Sequence, residues 1–323
     1  MKNAIMYYYN LIPENIRQTS KYVKFTFENN FFVLELLERN IDEIKEIHEM
    51  SLYLLHLNIL CHQILPNINN QLVTIINNQP YVLMRVFVDS DQIVTEKELL
   101  EFINVFIDNN KYNKINRSNW LELWSSKIDY LEYQVSQFGR KQNIIKDSFC
   151  YYIGLAENAI QFLKTIVRKV PLCVSHKRIK KDCTMYDLYN PLELIIDTRV
   201  RDYSEYYKQR FFYSDINFND FEKFIYDNQF SEDELKLLFC RMLFPTLYFD
   251  VYEGVIIDNI DERELIPIIT KATEYEYLLK KIYLLIFRYY HIDILEWLNV
   301  DSWIYDTFYF RNFFFYWCFN SVF

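Results

Sequence analysis

Glycine is scarce in this chain: only three glycines, together with seven prolines, occur among 323 residues. Because these two residues mark most tight turns, their scarcity favours long helices over a many-stranded sandwich. No glycine lies in residues 21–36, where the first hairpin is predicted. The backbone there lacks the residue that lets a Gly-rich loop approach phosphate groups closely.

The chain also lacks paired cysteines, long apolar runs and a positive net charge. Its six cysteines form no C-x-x-C pair, so the sequence predicts neither a zinc knuckle nor a disulfide framework. Residues 1–18 contain no signal-peptide core and no run of eighteen apolar residues marks a membrane span, so we expect a cytoplasmic protein. The net charge of −9 argues against a nucleic-acid partner, because a phosphate-binding surface needs a positive field.

The chain is 51% hydrophobic and long enough to bury a large core in two lobes. Its first part alternates between strand and helix patterns. The predicted order is a hairpin, an amphipathic helix and a second hairpin, over residues 21–36, 41–57 and 71–88. The hairpin turns are expected at Asn29–Asn30 and Asn77–Asn78, because asparagine tolerates the positive φ of tight turns.

From Thr95 onward the pattern is mainly helical. The predicted helices start after Asn119 and span Ser148–Arg168, Glu232–Glu253 and Ala272–Tyr290, with a kink expected at Leu243–Phe244–Pro245. The exception is a central segment, residues 172–207. It reads as an apolar strand, a basic loop from His176, a second strand from Leu192 to Ile196 that ends on Asp197, and an acidic, aromatic helix.

The order of the central segment resembles the aminoglycoside and choline phosphotransferase branch of the protein-kinase-like fold. There the loop reads His-Gly-Asp-Leu-x-x-x-Asn, and an Asp after the second strand holds magnesium. On this resemblance His176 matches the loop histidine and Asp197 the magnesium ligand. Arg178, however, stands at the catalytic Asp and Cys183 at the Asn.

Four further stretches, YYIGLAENAIQFL, SHKRI, RDYSEYY and RMLFPTLYFDVYEG, are similar to the bacterial spore-coat kinase-like proteins of the CotS/YutH type. The similarity extends from about Lys21 to Leu298. It implies an α+β, two-lobed protein-kinase-like fold with a small antiparallel-sheet N-lobe over residues 1–88 and a mainly helical C-lobe over 89–300. The aromatic tail, 301–323, matches nothing in the family. It is predicted to dock into a coat lattice, to pack on the large lobe, or to be an extension with no role.

The resemblance also implies that the catalytic positions are degenerate. Arg178 cannot accept a proton as the catalytic Asp does, because its guanidinium stays charged. Glu35 occupies the expected place of the small-lobe lysine, where a carboxylate repels phosphate oxygens. Cys183 replaces an oxygen donor that magnesium prefers. Asp182 could substitute for the missing base only if the alignment of the loop slips.

Asp197 and the basic loop have two interpretations each, whereas His176 and Asp202 have one. Asp197 is either a magnesium anchor or an ordinary strand-end Asp. His176 and Asp202 are interpreted as structural supports of the loop. Lys177, Arg178, Lys180 and Lys181 form either an anion-binding floor or a solvated basic loop.

Three hypotheses for function follow. The first is a catalytically inactive protein that is deposited at the endospore coat from the mother-cell cytoplasm and contacts other spore-coat proteins, with no cofactor expected. The second is a small-molecule phosphotransferase with displaced catalytic groups, which would need ATP and magnesium. The third is a non-catalytic sensor of a nucleotide or another phosphorylated ligand that binds the basic loop.

Overall fold

The computed structural model describes residues 1–108, 111–138, 142–166, 170–214 and 216–289. Within these ranges the helices, in chain order, are α1 (Lys2–Tyr9), α2 (Ile44–His56), α3 (Glu96–Ile103), α4 (Trp120–Phe138), α5 (Asn143–Leu163), α6 (Met185–Leu188), α7 (Arg201–Tyr213), α8 (Phe218–Asn228), α9 (Glu232–Leu243), α10 (Thr246–Ile257), α11 (Ile266–Thr270) and α12 (Ala272–Tyr289). The strands are β1 (Glu14–Gln18), β2 (Tyr22–Phe27), β3 (Asn30–Leu36), β4 (Gln63–Leu65), β5 (Thr74–Ile76), β6 (Gln79–Val86), β7 (Phe106–Ile107), β8 (Leu172–His176) and β9 (Leu194–Thr198). The tail at 301–323 lies outside the described residues.

The chain forms two compact units. The first consists of Met1–Ser118 and Pro171–Asp202, and the second of Asn119–Val170 and Tyr203–Phe323. These bounds differ from those of the predicted lobes, so the lobe boundary at residue 88 stays a prediction. The central segment up to Asp202 belongs to the same unit as the N-terminal sheet.

The main sheet of the first unit is antiparallel, with strand order β1-β2-β3-β6-β4 and β5 paired to β6. Both predicted hairpins are present. The β5–β6 turn is at Asn77 and Asn78, whose φ angles are 51° and 63°. The other turn lies one residue earlier than predicted, because Glu28 (φ 47°) and Asn29 (φ 62°) take the two positive-φ positions and Asn30 already pairs with Phe27.

One face of this sheet carries an apolar core that includes the N-terminal helix. Val23, Phe25, Phe32, Leu34 and Leu83 pack there, and Ile5 and Tyr9 of α1 cover them. Since side chains alternate across a strand, Lys24 on β2 and Glu35 on β3 lie on the opposite face. The β2 and β3 residues that do not pack against α1 therefore lie on the face that carries Lys24 and Glu35.

The second sheet of the first unit is antiparallel, with strand order β7-β8-β9, and the central segment contributes β8 and β9. The prediction for its second strand was wrong at both ends. Pro191–Glu193 form a 3-10 turn that Asn190 caps through its side chain, so β9 begins at Leu194. Asp197 lies inside this strand and pairs with Cys173.

The described part of the second unit is helical. α4 begins at Trp120 and α12 at Ala272, as predicted. The predicted Ser148 start was wrong, because α5 begins five residues earlier, at Asn143. The long helix predicted over Glu232–Glu253 is two helices, since Pro245 breaks the chain between α9 and α10. The core includes a buried charge cluster in which Glu205 contacts Lys208 and Arg241.

Candidate functional site

His176 and Asp202 bind each other at the end of β8. The Asp202 carboxylate accepts hydrogen bonds from the main-chain N–H of His176 at 3.0 and 3.1 Å and from its ring Nδ1 at 2.6 Å. The other ring nitrogen, Nε2, lies 2.9 Å from the carbonyl oxygen of Leu188. Burial opposes a charged imidazole, but the Asp202 carboxylate outweighs it and raises the pKa of His176. The end of β8 is therefore bound to Asp202 and, through the His176 ring, to Leu188, all within the first unit.

Asp197 is fully buried and already has strong partners. Its Oδ1 accepts a hydrogen bond from the Thr198 N–H at 2.7 Å, and its Oδ2 forms an ion pair with Arg201 Nη1 at 2.7 Å. Arg201 also donates to the carbonyl oxygens of His176 and Lys177. A positive guanidinium thus stands against the carboxylate that would bind magnesium in a kinase.

Arg178 and Cys183, at the degenerate positions, lie on the loop between β8 and α6. Arg178 is half-buried, and its Nη1 donates to the carbonyl oxygen of Lys177 at 2.9 Å. Cys183 is buried, its carbonyl oxygen accepts from the Val94 N–H at 3.0 Å, and burial raises the pKa of its thiol to about 12. At neutral pH Cys183 is therefore a protonated thiol, which is a weak ligand for a hard cation.

The basic loop does not form a single cluster of exposed charge. Lys177 is half-buried, and its Nζ lies 3.7 Å from a Glu193 carboxylate oxygen. Lys180 and Lys181 are exposed. Burial, more than any nearby charge, lowers the pKa of Lys177. The anion-binding floor stays a prediction.

Glu35 lies on β3 and faces the central segment. Its Oε2 accepts hydrogen bonds from the Tyr186 hydroxyl at 3.3 Å and from Asn190 Nδ2 at 3.2 Å. Burial, with a further contribution from the nearby Glu193 carboxylate, raises the pKa of Glu35 to about 7. Glu35 is the residue that the resemblance places at the phosphate-binding lysine of kinases, and Tyr186 and Asn190 bind its carboxyl group.

Arg39 adds a second link between the N-terminal region and the central segment. Its Nη1 donates to the carbonyl oxygens of Leu192 at 3.0 Å and Leu194 at 2.6 Å. Glu43, at the start of α2, forms ion pairs with both Arg39 and Arg117. Burial acts against ionised Glu43, but the two guanidinium groups outweigh it and lower its pKa.

Tyr186, like Arg39 and Asn190, is a residue at this site that sequence reasoning missed. It lies on α6, which a capping box between Thr184 and Asp187 starts immediately after Cys183. Its phenol ring is buried and reaches Glu35. The capping pattern Thr-x-x-Asp was a signal for the helix, but nothing distinguished Tyr186 among the 28 tyrosines of the chain.

The residues at these positions do not fit magnesium or the phosphates of a nucleotide. Asp197 is paired with Arg201, the second ligand position is a protonated thiol, and Glu35 carries the wrong charge for phosphate. Among the described residues, no group of three or more His, Cys, Asp or Glu side chains could hold a metal ion. We therefore derive no catalytic step through ATP or magnesium.

A family model described as "Spore coat putative kinase YutH" matches residues 2–282. The chain belongs to this YutH family. A relative, the endospore coat-associated protein YutH of Bacillus subtilis (strain 168), is 27% identical over 164 residues, or 45% of this chain and 48% of that protein. The match thus spans about half the length of this curated relative. The predicted spore-coat family is confirmed.

Solved structures similar to this YutH family member are phosphotransferases. An aminoglycoside phosphotransferase from Alicyclobacillus acidocaldarius has a TM-score of 0.60 at 9% identity, covering 89% of this chain and 97% of that one. Spectinomycin phosphotransferase APH(9)-Ia has a TM-score of 0.51 at 11% identity, with 88% and 96% covered. Amicoumacin kinase hAmiN has a TM-score of 0.51 at 13% identity, with 88% and 91% covered.

At these low identities the likeness shows the fold alone. The predicted kinase-like α+β fold, with an antiparallel N-terminal sheet and a mainly helical remainder, is confirmed. Across the described ranges no helix combines the length and apolarity needed to cross a membrane.

Proposed function

We propose that this protein is a catalytically inactive kinase-like component of the endospore coat, which acts through contacts with other coat proteins during coat assembly. The spore-coat context comes from the YutH family. The proposal that it is inactive depends mainly on one observation: Glu35 stands where a kinase needs lysine, and Tyr186 and Asn190 bind its carboxylate. Phosphate oxygens are repelled at that position and find no counter-charge.

Two further contacts support the inactive interpretation. Arg201 neutralises Asp197, so the carboxylate that would anchor magnesium is already satisfied. Arg178 stands at the catalytic Asp and offers donors only, so no base lies there to take a proton from an acceptor hydroxyl. A phosphotransferase would need to replace all three groups from elsewhere.

The role in coat assembly is tested in sporulating cells of the native host. A fluorescent fusion of the full chain is made in the mother cell, and we expect it to gather at the developing spore coat. The matched variant is Asp182→Ala, which removes the exposed carboxyl group that could replace the missing base. If the protein acts through contacts and not through chemistry, the variant restores coat assembly in a deletion strain as well as the unmodified chain does.

The inactive state is tested separately with purified protein. We expect ATP consumption of the unmodified chain, of Asp197→Asn and of Asp182→Ala to equal that of a buffer blank. Turnover by the unmodified chain that both substitutions abolish would contradict the proposal and favour a phosphotransferase with displaced groups. A fusion that stays spread through the cytosol would contradict the coat role.

A further inference from the structure

Tyr186 lies in the middle of a continuous set of contacts that crosses the face of the sheet carrying Lys24 and Glu35. At one end its hydroxyl donates to Glu35, the residue at the phosphate-contacting position. At the other end Lys24 Nζ lies 4.7 Å from the centroid of the Tyr186 ring and 2.7 Å from the Asp89 carboxylate. Asp89 follows β6, the strand that resembles the one entering the interlobe hinge of kinases. Tyr186 and Lys24 together therefore connect the phosphate position to the hinge segment.

The ring of Tyr186 is held on its apolar surfaces as well as at its hydroxyl. It is only 9% exposed, and the His62 ring lies 5.1 Å away, centroid to centroid. His62 is fully buried, and its main-chain N–H donates to the Tyr189 carbonyl oxygen at 2.8 Å. A cation on a ring face and a neighbouring aromatic group are the contacts that a bound planar ring receives from a protein.

We propose that Tyr186 closes the nucleotide cleft of this kinase-like fold in cis. Its phenol ring takes the place of a planar nucleoside, and the Lys24–Asp89 ion pair holds it there. The inference rests on the proposed function, since it explains what fills a cleft that has lost its nucleotide. It adds that the cleft is closed by one removable side chain and not by a collapsed backbone.

The test is the binding of adenosine, a planar nucleoside without charge, to the purified full chain. Adenosine avoids the repulsion between Glu35 and phosphate, so it reports space and ring contacts alone. Calorimetric titration of the unmodified chain and of Tyr186→Phe, which keeps the ring, is expected to give no binding. Tyr186→Ala is expected to bind adenosine measurably, with an affinity at least about tenfold above any that the unmodified chain or Tyr186→Phe shows. Tyr186→Leu, which retains more apolar volume, gives the same comparison if the alanine variant fails to fold.

The adenosine titrations show whether Tyr186 occupies a nucleoside site. Binding by the folded alanine or leucine variant, but not by Tyr186→Phe, supports the closed cleft. A folded variant that binds no adenosine overturns the proposal, because the ring then fills no nucleoside site. Adenosine binding by the unmodified chain also overturns it, yet leaves the inactive interpretation intact as long as ATP is not consumed. ATP turnover would overturn the proposed function instead, so the two failures are distinguishable.

Discussion

At the scale of single residues, Glu35 connects the proposed loss of catalysis to stability. Its pKa in the folded chain is raised to about 7, mainly by burial, whereas an ordinary glutamate titrates near 4.5. The folded state therefore prefers the protonated carboxyl. The stability that this preference gives is complete below pH 4.5 and is lost as the pH rises through 7.

We predict that Glu35→Gln stabilises the protein above pH 7 by up to about 3 kcal/mol and leaves it unchanged near pH 4.5. The amide keeps a hydrogen-bond acceptor for Tyr186 and Asn190 but cannot ionise. Urea unfolding between pH 5 and 8 measures the difference between the two chains. Glu38→Gln is the control, because the Glu38 side chain is 62% exposed. Equal pH dependence in Glu35→Gln and the unmodified chain would contradict the buried-carboxyl account.

The His176–Asp202 pair gives a second prediction at this scale. Asp202→Ala removes the partner of a buried ring and of a buried main-chain N–H, so we expect a loss of about 3–5 kcal/mol in the free energy of unfolding. Asp182→Ala, at an exposed site on the same loop, is expected to change it by less than about 0.5 kcal/mol. Comparable losses in the two variants, measured by urea unfolding, would show that Asp202 does not support the loop.

At the scale of elements, the β2–β3 turn depends on residues that tolerate positive φ. Asn29 has a φ of 62°, so Asn29→Ala is predicted to cost about 1 kcal/mol, whereas Asn29→Gly is predicted to cost nothing. Thermal unfolding of the two variants measures this contrast. If alanine and glycine behave alike, the turn does not have the left-handed conformation that the structure shows.

The sequence predicted the elements whose patterns are local. The two Asn-marked hairpins, the amphipathic helix α2 and the helix α12 follow from turn chemistry and apolar spacing, and all are present. Helix α1, the edge strand β1 and the short strand β7 were not predicted. Strand β1 is exposed at every position and β7 has only two residues, so neither carries a periodic pattern. Strand β1 is formed by pairing with the next strand, β2, and β7 by pairing with the distant strand β8, and the residue pattern of neither strand shows that pairing.

The residues of the candidate site also fall into those that the sequence could predict and those that it could not. His176, Asp197 and Asp202 could be placed from the order of motif residues along the central segment. The contact of Glu35 with Tyr186 could not, because it joins residues 151 positions apart and depends on the register of three strands. The same holds for Arg39, whose guanidinium reaches the Leu192 and Leu194 carbonyl oxygens.

At the scale of the whole molecule, the fold is kinase-like, and we propose that the groups that bind phosphate and metal in kinases are replaced. Fold never fixes function by itself, so this combination is compatible with a protein that other coat components recognise by its surface. The YutH family places that surface in the context of the endospore coat. If nucleotide binding is lost, as proposed, the stability of the fold depends on internal pairs such as Asp197–Arg201.

The most direct test of the central claim is a thermal-shift titration of the purified full chain with ATP, with and without magnesium. A ligand that binds only the folded state adds about 2.7 kcal/mol at 100 times its dissociation constant, which is a shift of roughly 4 °C for a protein of this size. We predict no shift under either condition up to millimolar ATP. A magnesium-dependent shift that disappears in Asp197→Asn would contradict the account and show that the cleft still binds a nucleotide.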